Sequence, residues 1–168
     1  MKNNYLFYVL LLCNFVSFFG ASTPLLAKES PIIVIENPYV RATIPGTSIS
    51  SSYMEIENKG DKTITLLGAS SSVSPRIEIH QHTMHDGMMR MRKLNSIDIK
   101  PKERVKLQPS GLHLMLFDVK TPLKAKQNIE LTLHFSNEYS IATQVPVYSP
   151  TQEKTAQGKE PEMHKHHH

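Results

Sequence analysis

The sequence predicts an all-β domain, an antiparallel Greek-key sandwich or barrel of eight or nine short strands, and three observations carry that expectation. Short β-like runs follow one another from Pro31 to Val147, turn residues separate them, and no stretch has the 3.6-residue period of a long helix.

The runs are, in order, "IIVIE", "SSYMEIEN", "KTITLLGAS", "RIEIHQH", "MMRMRKL", "RVKLQ", "LHLMLFDV", "NIELTLHF" and "SIATQVPV". Breaks fall at Pro45-Gly46, Lys59-Gly60-Asp61, Asp86-Gly87, Pro109-Ser110-Gly111 and Asn137-Glu138, where the residues favour turns. Several runs alternate: Ile129, Leu131, Leu133 and Phe135 fall on one face, and Asn128, Glu130, Thr132 and His134 on the other. One face is core and the other meets water.

Both ends differ from this pattern. Residues 1–27 combine Lys2, a short apolar run broken by Asn14, and "LLA" before Lys28, the layout of a secretory signal peptide. The run is short for a bilayer span, so no stable membrane insertion is expected once it is removed. Leu12, before Cys13, is larger than the Gly or Ala expected at a lipidated cysteine. The expected domain is 28–148. Residues 149–168, "SPTQEKTAQGKEPEMHKHHH" from Ser149, have Met163 as their one large apolar residue and read as a flexible tail.

The chain has 19 Lys plus Arg against 15 Asp plus Glu, and loss of the leader removes Lys2 and no acid, leaving 18 against 15 and a net charge of +3. Basic residues are scattered among acids, so neither nucleic acid nor an anionic membrane surface is implied. The one cysteine, Cys13, lies in the leader. The exported domain therefore has no thiol, and soft-metal chemistry there must use methionine, whose thioether forms no disulfide.

Five methionines, Met84, Met88, Met89, Met91 and Met115, lie close to histidines in "HQHTMH", "MMRM" and "HLM". On a strand, side chains at i and i+2 share a face about 6.6 Å apart, so His113 and Met115 can lean toward one ion. Ile77 and Ile79 face one way while Glu78, His80 and His82 face the other. A hairpin at Asp86-Gly87 would fold "MMRM" back and bring Met89 or Met91 within reach of His80. Two imidazoles and two thioethers make a soft, uncharged donor set that favours Cu(I) over Mg, Ca or Mn and serves Zn(II) poorly.

The spacing His80, ten residues, Met91, twenty-one residues, then His113-x-Met115 resembles the ligand pattern of the periplasmic copper(I) chaperone family PCuAC. "PYVRATIPGTSISSSYMEIEN", "GASSSVSPRIEIH", "DGMMRMRKL", "LQPSGLHLMLFDVKTPLK" and "IELTLHF" are also similar to that family. The resemblance covers about residues 32–147. It implies a cupredoxin-like β-sandwich that binds one Cu(I) near its surface through His80, Met91, His113 and Met115. It also implies a periplasmic, non-enzymatic carrier that hands copper to an oxidase subunit with a CuA site or to a thiol-based copper assembly protein. Where many members have methionine two residues after the first ligand, this chain has His82. Arg41, Tyr53 and Glu78 read as structural residues that fix loops or strand ends.

Other functions fit less well. An electron-transfer cupredoxin needs a cysteine thiolate, and no HExxH, nucleophile elbow or phosphate loop marks an enzyme. A periplasmic copper or zinc buffer that sequesters without delivery is the alternative. Its store would be the terminal "HKHHH", which could also hold Cu(II) or be a purification-tag remnant; Lys165 and Met163 favour a native arm. The carrier is expected as a monomer, with a metal-bridged dimer as the variant the tail would allow.

Overall fold

The computed structural model describes residues 33–157. The expected signal peptide and the His/Met end of the tail lie outside the described residues. Ten strands form: β1 (Ile33–Arg41), β2 (Ser50–Asn58), β3 (Ile64–Ser70), β4 (Arg76–His85), β5 (Met88–Leu94), β6 (Ile97–Ile99), β7 (Arg104–Leu107), β8 (Leu112–Phe117), β9 (Asn128–Phe135) and β10 (Ser140–Tyr148). Nine match the runs read from the sequence. β6 was not expected, because three residues centred on Asp98 are too short to show a period, and its pairing with β3 is what orders it.

The strands join in the order β5-β4-β8-β7-β2-β1-β10-β9-β3-β6, an open sheet whose two end strands do not pair with each other. Most pairs are antiparallel as expected. β1 with β10 and β7 with β8 are parallel, each through a very short contact. The apolar faces of both halves meet in one core: Ile56, Ile79, Leu107, Leu114 and Leu116 from one half, and Leu66, Leu131, Leu133, Phe135 and Val145 from the other, are all nearly inaccessible to water.

The β4–β5 hairpin follows the turn chemistry closely. Asp86 and Gly87 both have positive φ, 51° and 73°, the geometry of a two-residue type I′ turn, whose twist matches that of the strands. Only Gly and a few polar residues such as Asp tolerate it well. A two-residue loop also fixes register: His85 lies opposite Met88, Met84 opposite Met89, His82 opposite Met91 and His80 opposite Lys93. Met91 is therefore the cross-strand partner of His82, one i, i+2 step from His80, and Met89 faces Met84.

Part of the segment expected to be a flexible tail is ordered. Residues Pro150–Gln157 form a helix, α1. It lacks an apolar face, and what holds it is one acid: Glu153 is buried, and Arg41 donates to it through Nε at 2.8 Å and through Nη2. Tyr39 adds a hydrogen bond at 3.4 Å and stacks on Tyr148, ring centroids 5.0 Å apart. Composition could not reveal a partner 112 residues away. Replacing Arg41 by Met would leave a buried carboxylate without its counter-charge. Because Arg41 is itself partly solvated, a loss of about 1–3 kcal/mol is expected, read from urea unfolding, with a smaller loss for Glu153→Gln.

Candidate metal centre

β8 answers to two demands at once. Leu114 and Leu116 point into the core, and the alternate residues His113 and Met115 point to the opposite face of the sheet. The antiparallel register sets His113 directly beside His80 and Met115 beside Glu78 on β4. Because directly opposed residues share a face, Glu78, His80, His82, Met91, His113 and Met115 all lie on this second face.

Three imidazoles cluster there. The ring centroids of His82 and His113 are 4.9 Å apart, and those of His80 and His113 are 5.9 Å apart. His113 is the most deeply buried, at 3% exposure, with Tyr53 against it at 6.3 Å between centroids. Arg41 in turn stacks over the Tyr53 ring. Arg41 and Tyr53 thus join α1 to the back of the imidazole cluster.

The hydrogen bonds settle which ring nitrogens are free. A carbonyl only accepts, so His113 donates from Nδ1 to the Gly111 carbonyl at 3.1 Å. That bond fixes the tautomer and leaves the Nε2 lone pair for a ligand. The same carbonyl accepts from the His82 backbone N–H at 3.1 Å, tying β4 to the turn before β8. Burial pushes the His113 imidazole below its ordinary value, against the raising effect of the Gly111 bond, and so favours the neutral form that binds metal.

His80 is held from the other side. Its Nε2 is 2.9 Å from Glu78 Oε2, and Lys93 Nζ donates to Oε1 of the same carboxylate at 2.9 Å. The bond from His80, and then that from Lys93, pull the Glu78 carboxyl down to about 2, so it is ionised and accepts. His80 therefore donates from Nε2, and in its neutral form its lone pair is on Nδ1. That Nδ1 is buried and has no hydrogen-bond partner, and neither has the buried Nδ1 of His82. Unpartnered buried nitrogens are costly unless something else binds them.

Among the described residues, no group of three or more His, Cys, Asp or Glu side chains is arranged to hold a metal ion. Thioether sulfur is the other donor type on this face. The register supplies it from two directions. Met115 stands one step from His113 on β8, and Met91 stands one strand from His82 on β5. These two methionines are two strands and two steps apart, about 16 Å between Cα atoms on the spacings of a flat sheet. The pairing thus gathers the imidazoles and leaves the methionines at either end of them.

Beyond Gln81, β4 pairs with β5 alone, so residues 83–90 form a two-stranded ribbon with no third strand behind it. Such a ribbon is only marginally fixed on its own. His82 and Glu78 stand on this face beside the expected ligands. Both were legible in principle, His82 from the register that the Asp86-Gly87 turn imposes and Glu78 from its i, i+2 relation to His80.

The comparisons with known proteins agree with this architecture. Residues 33–147 match the LpqE-like family, whose members are described as lipoprotein LpqE-like. The lipoprotein-named Lxx21020 of Leifsonia xyli subsp. xyli is 30% identical over 129 residues, which cover 76% of this chain and 75% of that protein. The solution structure of CuI-DR1885 from Deinococcus radiodurans superposes with a TM-score of 0.56 at 26% identity, over 72% of this chain and 80% of that one. The copper-bound PCuAC domain from PmoF2 shares the fold with a TM-score of 0.62 at 24% identity, over 73% of this chain and 97% of that one. The chain belongs to the LpqE-like family, a PCuAC-type family, and has the cupredoxin-like β fold of those domains.

Proposed function

We propose that this chain is an exported copper(I) carrier that binds one ion through His80, Met91, His113 and Met115 and releases it to a partner by ligand exchange. The observation that carries the proposal is the pair of facts at the centre of the imidazole face. His80 keeps a buried lone pair on Nδ1 with no partner, and His113, directly beside it, keeps its Nε2 lone pair because Nδ1 is committed to Gly111. Neutral nitrogens with thioethers at hand, and no thiolate, suit a soft monovalent ion. The named copper content of CuI-DR1885 and of the PmoF2 domain supports the same reading.

The chemistry is carriage rather than catalysis. Met115 and the exposed Met91 bind through neutral sulfur, so an incoming thiolate or imidazole can displace one thioether while the others hold the ion. The recipient we propose is an oxidase subunit bearing a CuA site or its thiol-based assembly protein, and the compartment is the periplasm, in keeping with the lipoprotein names of the relatives. Mixing the Cu(I)-loaded protein with an apo thiol-bearing acceptor under anaerobic conditions tests delivery. Copper should move to the acceptor; retention against a tighter-binding acceptor would instead mark a buffer.

Glu78 is a positioning residue in this scheme, since it fixes the His80 tautomer without meeting the ion. Partners of this kind commonly contribute 10–100-fold to metal affinity. Glu78→Gln is therefore expected to weaken Cu(I) binding by about tenfold or more, and to lower the unfolding midpoint modestly because the carboxylate's pairs with Lys93 and Arg76 are lost. Nitrogen NMR of His80 should show a redistribution of tautomers, which a merely structural role for Glu78 would not produce.

A further inference from the structure

The free end of the β4–β5 hairpin carries thioethers that the proposed site does not use. Met84 faces Met89 across the ribbon, and Met91 is two residues along from Met89 on the same face. Paired residues on adjacent strands have Cβ atoms about 4.5–5.5 Å apart, and the i, i+2 step adds about 6.8 Å along the strand. Three flexible side chains of that length can place their sulfurs around one ion.

Packing does not account for these residues. Met54, in the core, is 2% exposed, whereas Met84, Met89 and Met91 are 68%, 58% and 48% exposed. Placing three large apolar side chains together in water on a ribbon without a core costs free energy, so a use for the sulfur is the stronger reading. The local charges are arranged to permit a cation. Arg90 and Arg92 alternate to the other face of β5, and Lys93, which does share the methionine face, is held by Glu78 at 2.9 Å.

We propose that Met84, Met89 and Met91 form a second, outer site for a soft monovalent cation, Cu(I) or its mimic Ag(I), at the tip of the hairpin. As to its natural cargo this rests on the copper reading of the imidazole site. Met91 belongs to both sites and serves one ion at a time: when both are filled, the imidazoles and Met115 keep the inner ion while Met91 joins Met84 and Met89. An ion captured outside by three neutral thioethers passes inward when the flexible Met91 side chain, which lies opposite His82 in the pairing, turns with it from Met84 and Met89 toward His82 and His113. With three exposed neutral donors the outer site binds at least tenfold more weakly than the inner one, which sets the direction of transfer.

Methyl-selective NMR of the protein during Ag(I) titration tests this, because each methionine reports separately and Met163 reports any binding by the terminal segment. The Met115 methyl is expected to shift in the first equivalent, and the Met84 and Met89 methyls in the second. The double substitution Met84→Leu with Met89→Leu, at exposed positions, should keep the fold by circular dichroism and the first event while abolishing further shifts of Met91. His113→Ala should abolish the Met115 shift and keep those of Met84 and Met89. Unmoved Met84 and Met89 methyls in the wild type, or an unchanged second shift of Met91 in the double variant, would overturn the outer site. Shifts at Met84 and Met89 with none at Met115 would support the outer site while removing the inner one.

Discussion

Truncating His113 to alanine is expected to weaken Cu(I) binding at least tenfold, a loss of about 1.4 kcal/mol or more. The reason is geometric. His113 is the buried member of the imidazole cluster, 4.9 Å from the ring of His82 and 5.9 Å from that of His80, and its bond to Gly111 presets the nitrogen that binds. No other side chain can move into that position, because Tyr53 packs behind the ring and the strand pairing fixes the backbone on both sides. Anaerobic competition against a chromogenic Cu(I) chelator measures it. Met91→Ala should also lose at least tenfold, and equal affinities in both variants would remove the ligand assignment.

The second large effect concerns the residue next to it. Leu114 is fully buried and points away from the imidazoles into the core. Leu114→Ala should destabilise the fold by about 2–5 kcal/mol, since the transfer of the missing methyl groups and the cavity left behind both count against it. Urea unfolding reads that loss. At temperatures where the variant remains folded its Cu(I) affinity should be unchanged. His113→Ala and Leu114→Ala would then separate the two faces of one strand: one change strikes binding, and its neighbour strikes stability.

Alternation made this much of the molecule legible from sequence. A period of two in "LHLMLF" and "NIELTLHF" states which residues are core, and the structure buries Leu114, Leu116, Ile129, Leu131, Leu133 and Phe135 accordingly. The Asp86-Gly87 turn likewise announces its hairpin, and its two-residue length dictates the pairing of His82 with Met91. The information was present; it required counting from the turn rather than from the histidine.

Other features leave no local trace. β6 is ordered by β3, where Thr65 lies opposite Asp98, 33 residues further along the chain, and contains only three residues of its own. α1 is held through Glu153, whose partners Arg41 and Tyr39 sit far away in the chain. The parallel contact of β1 with β10 involves Val40 with Val147 and Arg41 with Tyr148, too short to mark either strand. In each case the determining interaction is between segments distant in sequence, which neither composition nor period can express. The candidate ligands lie between these extremes: their spacing suggested a family, but only the register shows that Met91 and Met115 stand on opposite sides of the imidazoles.

The most direct measurement of whether these donors meet is X-ray absorption at the copper edge, on protein loaded anaerobically with less than one equivalent of Cu(I). The account predicts a first shell of nitrogen and sulfur together, with sulfur amplitude reduced in Met115→Leu and in Met91→Leu. A shell of nitrogen and oxygen alone, or sulfur scattering indifferent to both substitutions, would contradict it.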